Sequence, residues 1–388
     1  MKLNSLDLDI KQFGREIDRF LANTGRKHWE GLIRQFNSTD GFFYKYFLLQ
    51  RNPLIKPLQE YFNLYSKGKS IWKHRSEGLD FLAEKAFITN RIIQHANDAG
   101  KNQIKGRYKN NDIRPLLFEL LVVTHFLKNG FAVKLAEHER DSSVGGTFDF
   151  LLTKDSIEAE VECKFKSYDA GRKIKRDDFY RLCDEILKQL KSYKIKCLIE
   201  INCLNKLGSN HIKFVETVKN IKTAIDQKKS NLIVDNDLSI NINYLPERLE
   251  IKSDEQFKSF ITPYQTNNTG HFATLSNQET TIIVKAECNQ KDPILRAIYN
   301  ELKDSLDQFS KNKPGLIACY IEGIYPEEWE ELQNERGLAA MTYHLLNKKN
   351  AEHIHTVSYI SEVELYPMND TTIYKHPTLF FKNQNCSY

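Results

Sequence analysis

Apolar side chains in the first hundred residues recur at spacings of three and four positions, which is the period of a helix with one buried face. The clearest stretch contains Phe81, Leu82, Ala86, Phe87, Ile92 and Ile93. This spacing predicts a helical region over residues 1–105. The polar and basic segment 98–112 then interrupts the pattern, and its glycines predict a loop.

The next segment carries the strongest signals. Pro115 near the beginning and Gly130 just past the end bracket an apolar helix over 113–129, because proline suits the first helical turn and glycine suits the left-handed cap. Short apolar strands follow at 131–135, 148–152 and 157–165, with a turn at Gly145 and Gly146 between the first two. A basic helix over 176–193 leads to a fourth strand at 197–202. This order predicts an α/β core with one mixed sheet over residues 106–205.

The remainder, 206–388, predicts an α/β C-terminal extension. Within it, residues 281–323 repeat an earlier order: a strand at 281–288, a helix at 294–309 and a strand at 316–321. An ancient duplication and the common α/β order are both open as explanations. If Glu287 is aligned with Glu162, Asn289 takes the position of Lys164, so a second copy would be chemically changed.

Composition excludes several classes of protein. With 388 residues, 40% of them hydrophobic, and a net charge of +5, the chain predicts a folded protein and not a disordered one. Its beginning has no apolar signal segment, and its longest apolar stretch, 116–127, is too short to span a membrane. The seven cysteines form no Cys-x-x-Cys pair, which favours reduced thiols in the cytoplasm.

Residues 157–165 alternate between two classes of side chain along the whole predicted strand. One face is apolar, and the other contains Glu158, Glu160, Glu162 and Lys164. Side chains of a strand point alternately to opposite faces, so the four charges share one face. A half-buried strand with a solvated polar face is one interpretation, and a functional site is the other.

Two further carboxylates favour a functional site. Asp149 lies between Phe148 and Phe150 in an otherwise apolar strand, although aspartate is a poor strand former. Glu119 has apolar neighbours three and four positions away on its helix, where an unpaired carboxylate is costly. The structural alternatives are a strand-end or turn carboxylate at Asp149 and a hydrogen-bonded partner, such as Arg114 or a backbone donor, for Glu119.

Together, Asp149, the triplet Glu162-Cys163-Lys164 and Glu119 resemble the motif of the PD-(D/E)xK nuclease superfamily, also called restriction-endonuclease-like. The resemblance covers residues 112–203 and includes the order of elements, so it implies an αβββαβ core with a mixed sheet. Two features depart from the family: Phe148 replaces the proline that names the motif, and Glu160 offers a competing acidic position on the same face.

A second element is similar to the RecB-like branch of this superfamily. Gln189 and Tyr193, four positions apart on the predicted helix, match its Gln-x-x-x-Tyr element and would share a helix face. An ordinary amphipathic helix that contains a glutamine and a tyrosine is the alternative.

The resemblance implies a divalent cation, Mg²⁺ or Mn²⁺, which carboxylate oxygens suit. Asp149 and Glu162 are implied as direct ligands and the carbonyl of Cys163 as a further one. Glu119 is implied as a ligand through water or to a second ion.

The remaining roles follow from the same resemblance. Lys164 would orient the attacking water and stabilise the charge that develops on the phosphate. Gln189 and Tyr193 would steady Lys164 or the substrate phosphate.

Positive charge is concentrated after the triplet. Between Lys164 and Lys196 the chain has eleven Lys and Arg against five Asp and Glu, which suits a polyanionic partner. The candidates for contacts with a nucleic-acid backbone are Lys166, Arg172, Lys173, Lys175 and Arg176. A solvated basic helix is the alternative.

We therefore expect a cytoplasmic, divalent-metal-dependent phosphodiester hydrolase that acts on nucleic acid, with DNA favoured over RNA and no membrane partner. By analogy with the fold, such an enzyme would serve restriction, phage defence or repair. The alternatives are an RNA nuclease with the same site, and a degenerate nuclease fold that binds nucleic acid or protein. A homo-oligomer or a partner protein is left open.

Overall fold

The computed structural model describes residues 12–95, 98–135, 147–207, 211–235, 237–246, 256, 260, 271–276, 279–324, 326–334, 337–362 and 378–388. The predicted turn at Gly145 and Gly146 lies outside these residues. Within them the chain is α/β, with two mixed sheets. The helices of this part of the chain are all too short or too polar to cross a membrane.

The N-terminal region is helical, as predicted. Its helices are α1 Phe13–Thr24, α2 Arg26–Ser38, α3 Phe42–Arg51, α4 Ile55–Ser66, α5 Glu77–His95 and α6 Asp98–Arg107. The predicted loop at 98–112 is wrong, because α6 occupies most of it. Its two glycines disfavour a helix, but Ile104 and the adjacent Tyr108 are buried in the helical core, and this packing outweighs the local preference.

A six-stranded sheet forms the centre of the molecule, with strand order β1-β2-β3-β9-β10-β11. Its strands are β1 Ala132–Leu135, β2 Phe150–Lys154, β3 Ile157–Lys166, β9 Gly315–Glu322, β10 Ile354–Glu362 and β11 Leu379–Lys382. β1, β2 and β3 are successively antiparallel, whereas β9 is parallel to both β3 and β10. Helix α7, Arg114–Lys128, precedes β1 and agrees with the predicted helix, with Gly130 in a left-handed conformation at its end.

The fourth predicted strand does not belong to this sheet. β4, Lys196–Cys203, forms where the sequence predicts a strand, but it pairs with β6 and β8. The position beside β3 is taken by β9, about 150 residues further along the chain. The prediction that residues 106–205 close one αβββαβ sheet is therefore wrong, because alternation locates a strand but does not select its neighbour.

The second sheet has five strands in the order β5-β6-β4-β8-β7. The additional strands are β5 Asn231–Asp235, β6 Leu238–Tyr244, β7 His271–Ser276 and β8 Thr281–Cys288. The chain leaves β3 through α8, Arg176–Leu190, to enter this sheet at β4. It returns from β8 through α10, Ile294–Ser305, to the first sheet at β9.

Three apolar cores hold these layers together. One lies between the first sheet and the N-terminal helices together with α7. A second packs α8 and α9, His211–Asp226, on the five-stranded sheet. A third covers the opposite face of the first sheet with α10, α11 Pro326–Asn334 and α12 Leu338–Leu346. Both faces of β3 are therefore covered, and its charged face lies towards α10.

Candidate active site

The charged face of β3 becomes progressively more buried along the strand. Glu158, near its beginning, is largely exposed and lies 3.5 Å from the Lys313 ammonium. Glu160 is fully buried and accepts hydrogen bonds from the backbone N–H of Ser310, at 2.8 Å, and from its hydroxyl. Glu162 is 3% exposed. The face is therefore not simply solvated, and Glu160, held by the loop before β9, has a structural role.

Asp149 immediately precedes the first residue of β2 and lies beside the middle of the triplet. Its backbone N–H donates to the carbonyl of Val161 at 3.0 Å, which continues the ladder by one residue. Its carboxylate then accepts a hydrogen bond from the backbone N–H of Cys163 at 2.6 Å. This charge-assisted bond fixes the Asp149 carboxylate against the triplet.

Glu119, on the second turn of α7, is held by Arg107 at the end of α6. Both carboxylate oxygens accept from the guanidinium, with Arg107 Nη1 at 2.5 Å from Oε2 and Nη2 on Oε1. The structural alternative for Glu119, a hydrogen-bonded partner, is therefore present, but the partner is Arg107 and not the suggested Arg114, which binds Asp112 and Glu322.

A small cavity joins two of these carboxylates. Arg107, Glu119 and Asp149 line it together with apolar side chains, among them Leu120 and Phe150, and its volume is about 30 Å³. Roughly 10–15 Å³ of such space holds one water molecule, so the cavity has room for about two.

Three of the predicted acidic residues act electrostatically on Cys163. Burial raises the pKa of its thiol, and the negative charges of Asp149, Glu119 and Glu162 raise it further, while Arg107 opposes them. Asp149 and Glu119 share a cavity near Cys163, whereas Glu162, the residue before Cys163, is on the opposite, charged face of β3.

Lys164 lies next to Glu162 on the charged face. Its ammonium is 2.6 Å from Glu162 Oε1 and donates to Gln308 Oε1 at 2.6 Å. Burial lowers the Lys164 pKa, but the attraction of Glu162, followed by that of Glu301 and Asp149, outweighs it, so the net shift is upward. Lys164 is therefore a cation at neutral pH and not a general base.

The carboxylates are the right type of ligand for a hard cation, but their positions do not form a coordination site. Carboxylate oxygens are the ligands that Mg²⁺ and Mn²⁺ prefer. However, no group of three or more His, Cys, Asp or Glu side chains within the described ranges is arranged to hold a metal ion. Protein donors engage each carboxylate: Arg107 at Glu119, the Cys163 N–H at Asp149, and Lys164 at Glu162.

Gln189 lies on α8, which packs on the second sheet, and Tyr193 follows the end of that helix, so the prediction that the two share a helix face is wrong. Gln189 is exposed, and the Tyr193 hydroxyl donates to Asp226 at 3.0 Å. The structure does not bring these two residues to Lys164. Gln308, which follows α10, makes the contact with Lys164 instead.

Two of the predicted backbone-binding residues form ion pairs inside the protein. Lys166 forms an ion pair with Glu301 of α10. Arg172 is buried and donates to Glu328 at 2.7 Å. These contacts tie the end of β3 and the segment after it to elements that precede or follow β9.

The other three basic residues lie near the beginning of α8. Arg176 is buried over the ring of Tyr168, 3.5 Å from its centre. The Lys173 ammonium donates to Gln290 at 2.9 Å, whereas Lys175 is exposed. Of the five, Lys175 is the most accessible to a polyanion.

Sequence reasoning missed Arg107 and Gln308. Arg107 was hidden because its segment reads as a loop. Gln308 lies between the helix and the second strand of the repeated strand-helix-strand order, so that repeat is the signal that could have directed attention to it.

Comparison with known proteins adds no identification. No family model matches the chain, and no match is found among curated proteins or among solved structures.

Proposed function

We propose that this protein is a divalent-metal-dependent nuclease that hydrolyses phosphodiester bonds, with DNA as the favoured substrate. One observation carries the proposal: Asp149 is hydrogen-bonded to the triplet and shares a cavity with Glu119, and the Lys164 cation lies directly beside Glu162. Carboxylates next to a fixed cation suit phosphodiester hydrolysis. The carboxylates would hold the positive metal ion, and the lysine would face the negative phosphate.

The chain's own residues would divide the work. Asp149, Glu162 and Glu119 would hold the metal ion, which supplies Lewis acidity and an activated water when bound. Lys164, which Gln308 and Glu162 position, would face the charge that develops on the phosphate oxygens. Burial of these groups strengthens every such interaction, because the local dielectric is low.

The test is digestion of a plasmid by the purified protein with Mg²⁺, with and without EDTA. We expect cleavage that EDTA stops and that Asp149→Asn abolishes. Asp155→Asn is the matched control, because Asp155 lies in the exposed turn at the other end of the same hairpin. Cleavage that continues in Asp149→Asn and in EDTA would refute the proposal.

RNA is the alternative substrate for the same site, since neither the carboxylates nor Lys164 reads the sugar. Digesting DNA and RNA of the same sequence in parallel separates the two. Faster cleavage of the RNA would reverse the assignment.

A degenerate nuclease fold that binds nucleic acid without cleaving it is a second candidate. Its supporting observation is that each of the three carboxylates is engaged by a protein donor. Retention of a labelled oligonucleotide, without cleavage in either Mg²⁺ or Mn²⁺, would favour it.

A further inference from the structure

Cys203 and Cys288 are the last residues of two neighbouring parallel strands of the second sheet. β4 ends at Cys203, β8 ends at Cys288, and the two residues are register partners. Register partners point to the same face of a sheet, and here that face carries the core under α8 and α9. The two side chains are therefore neighbours, although they are far apart in the sequence. Among the described strands, no other two cysteines are register partners.

The two thiols differ in accessibility. Cys203 is 1% exposed, whereas Cys288 is partly exposed at the margin of the core. An oxidant from solvent therefore reaches Cys288 first. A partly exposed thiol with a second thiol beside it is the usual arrangement of a redox-responsive pair, because the second thiol can resolve the oxidised form of the first.

Hydrogen bonds between the segments that follow the two strands hold the pair together. The Cys288 thiol donates to the carbonyl of Asn205, two residues beyond Cys203, at 3.1 Å. The backbone N–H of Asn289 donates to the Cys203 carbonyl at 2.9 Å. The side-chain amide of Gln290 donates to Asn205 Oδ1 at 2.6 Å. These bonds fix the ends of β4 and β8 against each other.

The spacing of the strands allows a disulfide. Neighbouring strands lie about 4.7–4.9 Å apart, and a disulfide needs Cα atoms about 4.4–6.8 Å apart. Its Cβ atoms are closer, at about 3.8 Å, so a small local movement is required. Cys203 and Cys288 end their strands, so this movement does not disturb the interior of the sheet.

We propose that Cys203 and Cys288 form a reversible disulfide in response to hydroperoxides. The Cys288 thiolate attacks the terminal oxygen of the hydroperoxide, the O–O bond breaks, an alcohol or water leaves, and Cys288 becomes a sulfenic acid. The Cys203 thiol then attacks that sulfur, the S–O bond breaks and water leaves. In total, two thiols lose two electrons and two protons, and one hydroperoxide is reduced. Neither cysteine lies on the first sheet, so this inference is independent of the proposed function.

The test is treatment of the full chain with hydrogen peroxide, followed by blocking of the remaining thiols with N-ethylmaleimide, digestion and mass spectrometry. We expect one linked pair of peptides, which contains Cys203 and Cys288, and its loss when dithiothreitol is added. Cys288→Ser should abolish the linked pair. Cys386→Ser, the matched control at another partly exposed cysteine, should leave it unchanged.

A second variant tests the order of the two steps. In Cys203→Ala, Cys288 should accumulate as a sulfenic acid that dimedone captures, because the resolving thiol is absent. If Cys203→Ala does not fold, the linked peptides of the unmodified protein and their loss in Cys288→Ser still decide the question. Circular dichroism of each variant shows whether it keeps the fold.

Thermal unfolding provides an independent measurement. The disulfide closes a long loop, residues 203–288, so the oxidised protein should melt about 5 °C above the reduced protein. Peroxide should cause no such shift in Cys288→Ser. An unchanged or lower melting temperature after the bond has formed would show that the bond does not fit the native register.

Three results of the peptide mapping would overturn the inference. Cys288 could stay a thiol in peroxide, become a sulfinic acid while Cys203 is still blocked by N-ethylmaleimide, or link to a different cysteine. In each case the two register partners do not act as a pair, and the nuclease proposal is unaffected.

Discussion

The β2–β3 and β7–β8 hairpins share a register but differ in chemistry. In the first, Phe150 pairs with Val161, directly before Glu162; in the second, His271 pairs with Ala286, directly before Glu287. Asp149 precedes β2 in the sequence, whereas the residue that precedes β7 is Gly270.

The residues after the two glutamates continue the contrast. Glu162-Cys163-Lys164 lies under α10, with Glu162 buried, whereas the side chain of Glu287 is 40% exposed and pairs with Lys285 at 2.8 Å. Asn289, in the position of Lys164, is exposed. One hairpin thus retains an acid, a glutamate and a lysine, and the other retains the glutamate alone.

The arrangement of the sheets supports duplication as the origin of the repeat. After each hairpin the chain forms a helix and then a strand in the other sheet. As a result β3 pairs in parallel with β9, and β8 pairs in parallel with β4. Two copies that have exchanged their final helix and strand would produce this order. The comparison teaches that two hairpins with the same register can differ in the charged side chains that they carry.

The largest expected effect is on stability, and it compares one ion pair at each sheet: Arg114 with Glu322 at the first, and Lys285 with Glu287 at the second. Arg114→Met should lower the free energy of unfolding by about 3–5 kcal/mol, because it leaves Glu322 buried without its guanidinium. Lys285→Met should cost about 1 kcal/mol or less, since Glu287 is partly exposed. Urea denaturation measures both, and equal losses would contradict the difference in burial.

The second prediction compares the two lysines in catalysis. Lys164→Met should lower the rate of plasmid cleavage by about 10²- to 10³-fold, the effect of removing one group that stabilises a developing charge. Lys285→Met should leave the rate within about twofold. If the two substitutions have similar effects, the active site has been assigned to the wrong sheet or does not exist.

The third prediction uses the matched cysteines as probes. At pH 8, Cys163 should react with an alkylating reagent at least about tenfold more slowly than Cys288. Cys163 is buried and its raised pKa keeps it as the thiol, whereas Cys288 is partly exposed. Mass spectrometry of the native protein measures the two rates, which should become similar in denaturant. Equal rates in the native protein would mean that β3 is as accessible as β8.

The smallest expected effect is at Gln308. Loss of its hydrogen bond to Lys164 should raise the activation free energy by about 1 kcal/mol. Gln308→Ala should therefore lower kcat about fivefold and leave KM unchanged. Gln290→Ala, which removes a bond to exposed Lys173, is the control. A change in KM alone would show that Gln308 does not position Lys164.

Sequence reasoning located the elements of the site better than their neighbours. The alternation of 157–165 and the unusual position of Asp149 depend on local chemistry, and the structure places a strand and a strand end there. The partner of Glu119 and the strand beside β3 depend on tertiary packing. The sequence therefore could not identify Arg107 as the partner of Glu119 or β9 as the neighbour of β3, because other arginines and other apolar strands have the same local sequence features.

The double crossing between the sheets has a practical consequence for anyone who divides this gene. A fragment that ends near residue 205 keeps β3 but loses β9, and it keeps β4 but loses β8. The complementary fragment has the opposite losses, with apolar strand edges open to aggregation. The two fragments should therefore be insoluble separately and should recover structure only when they are co-expressed.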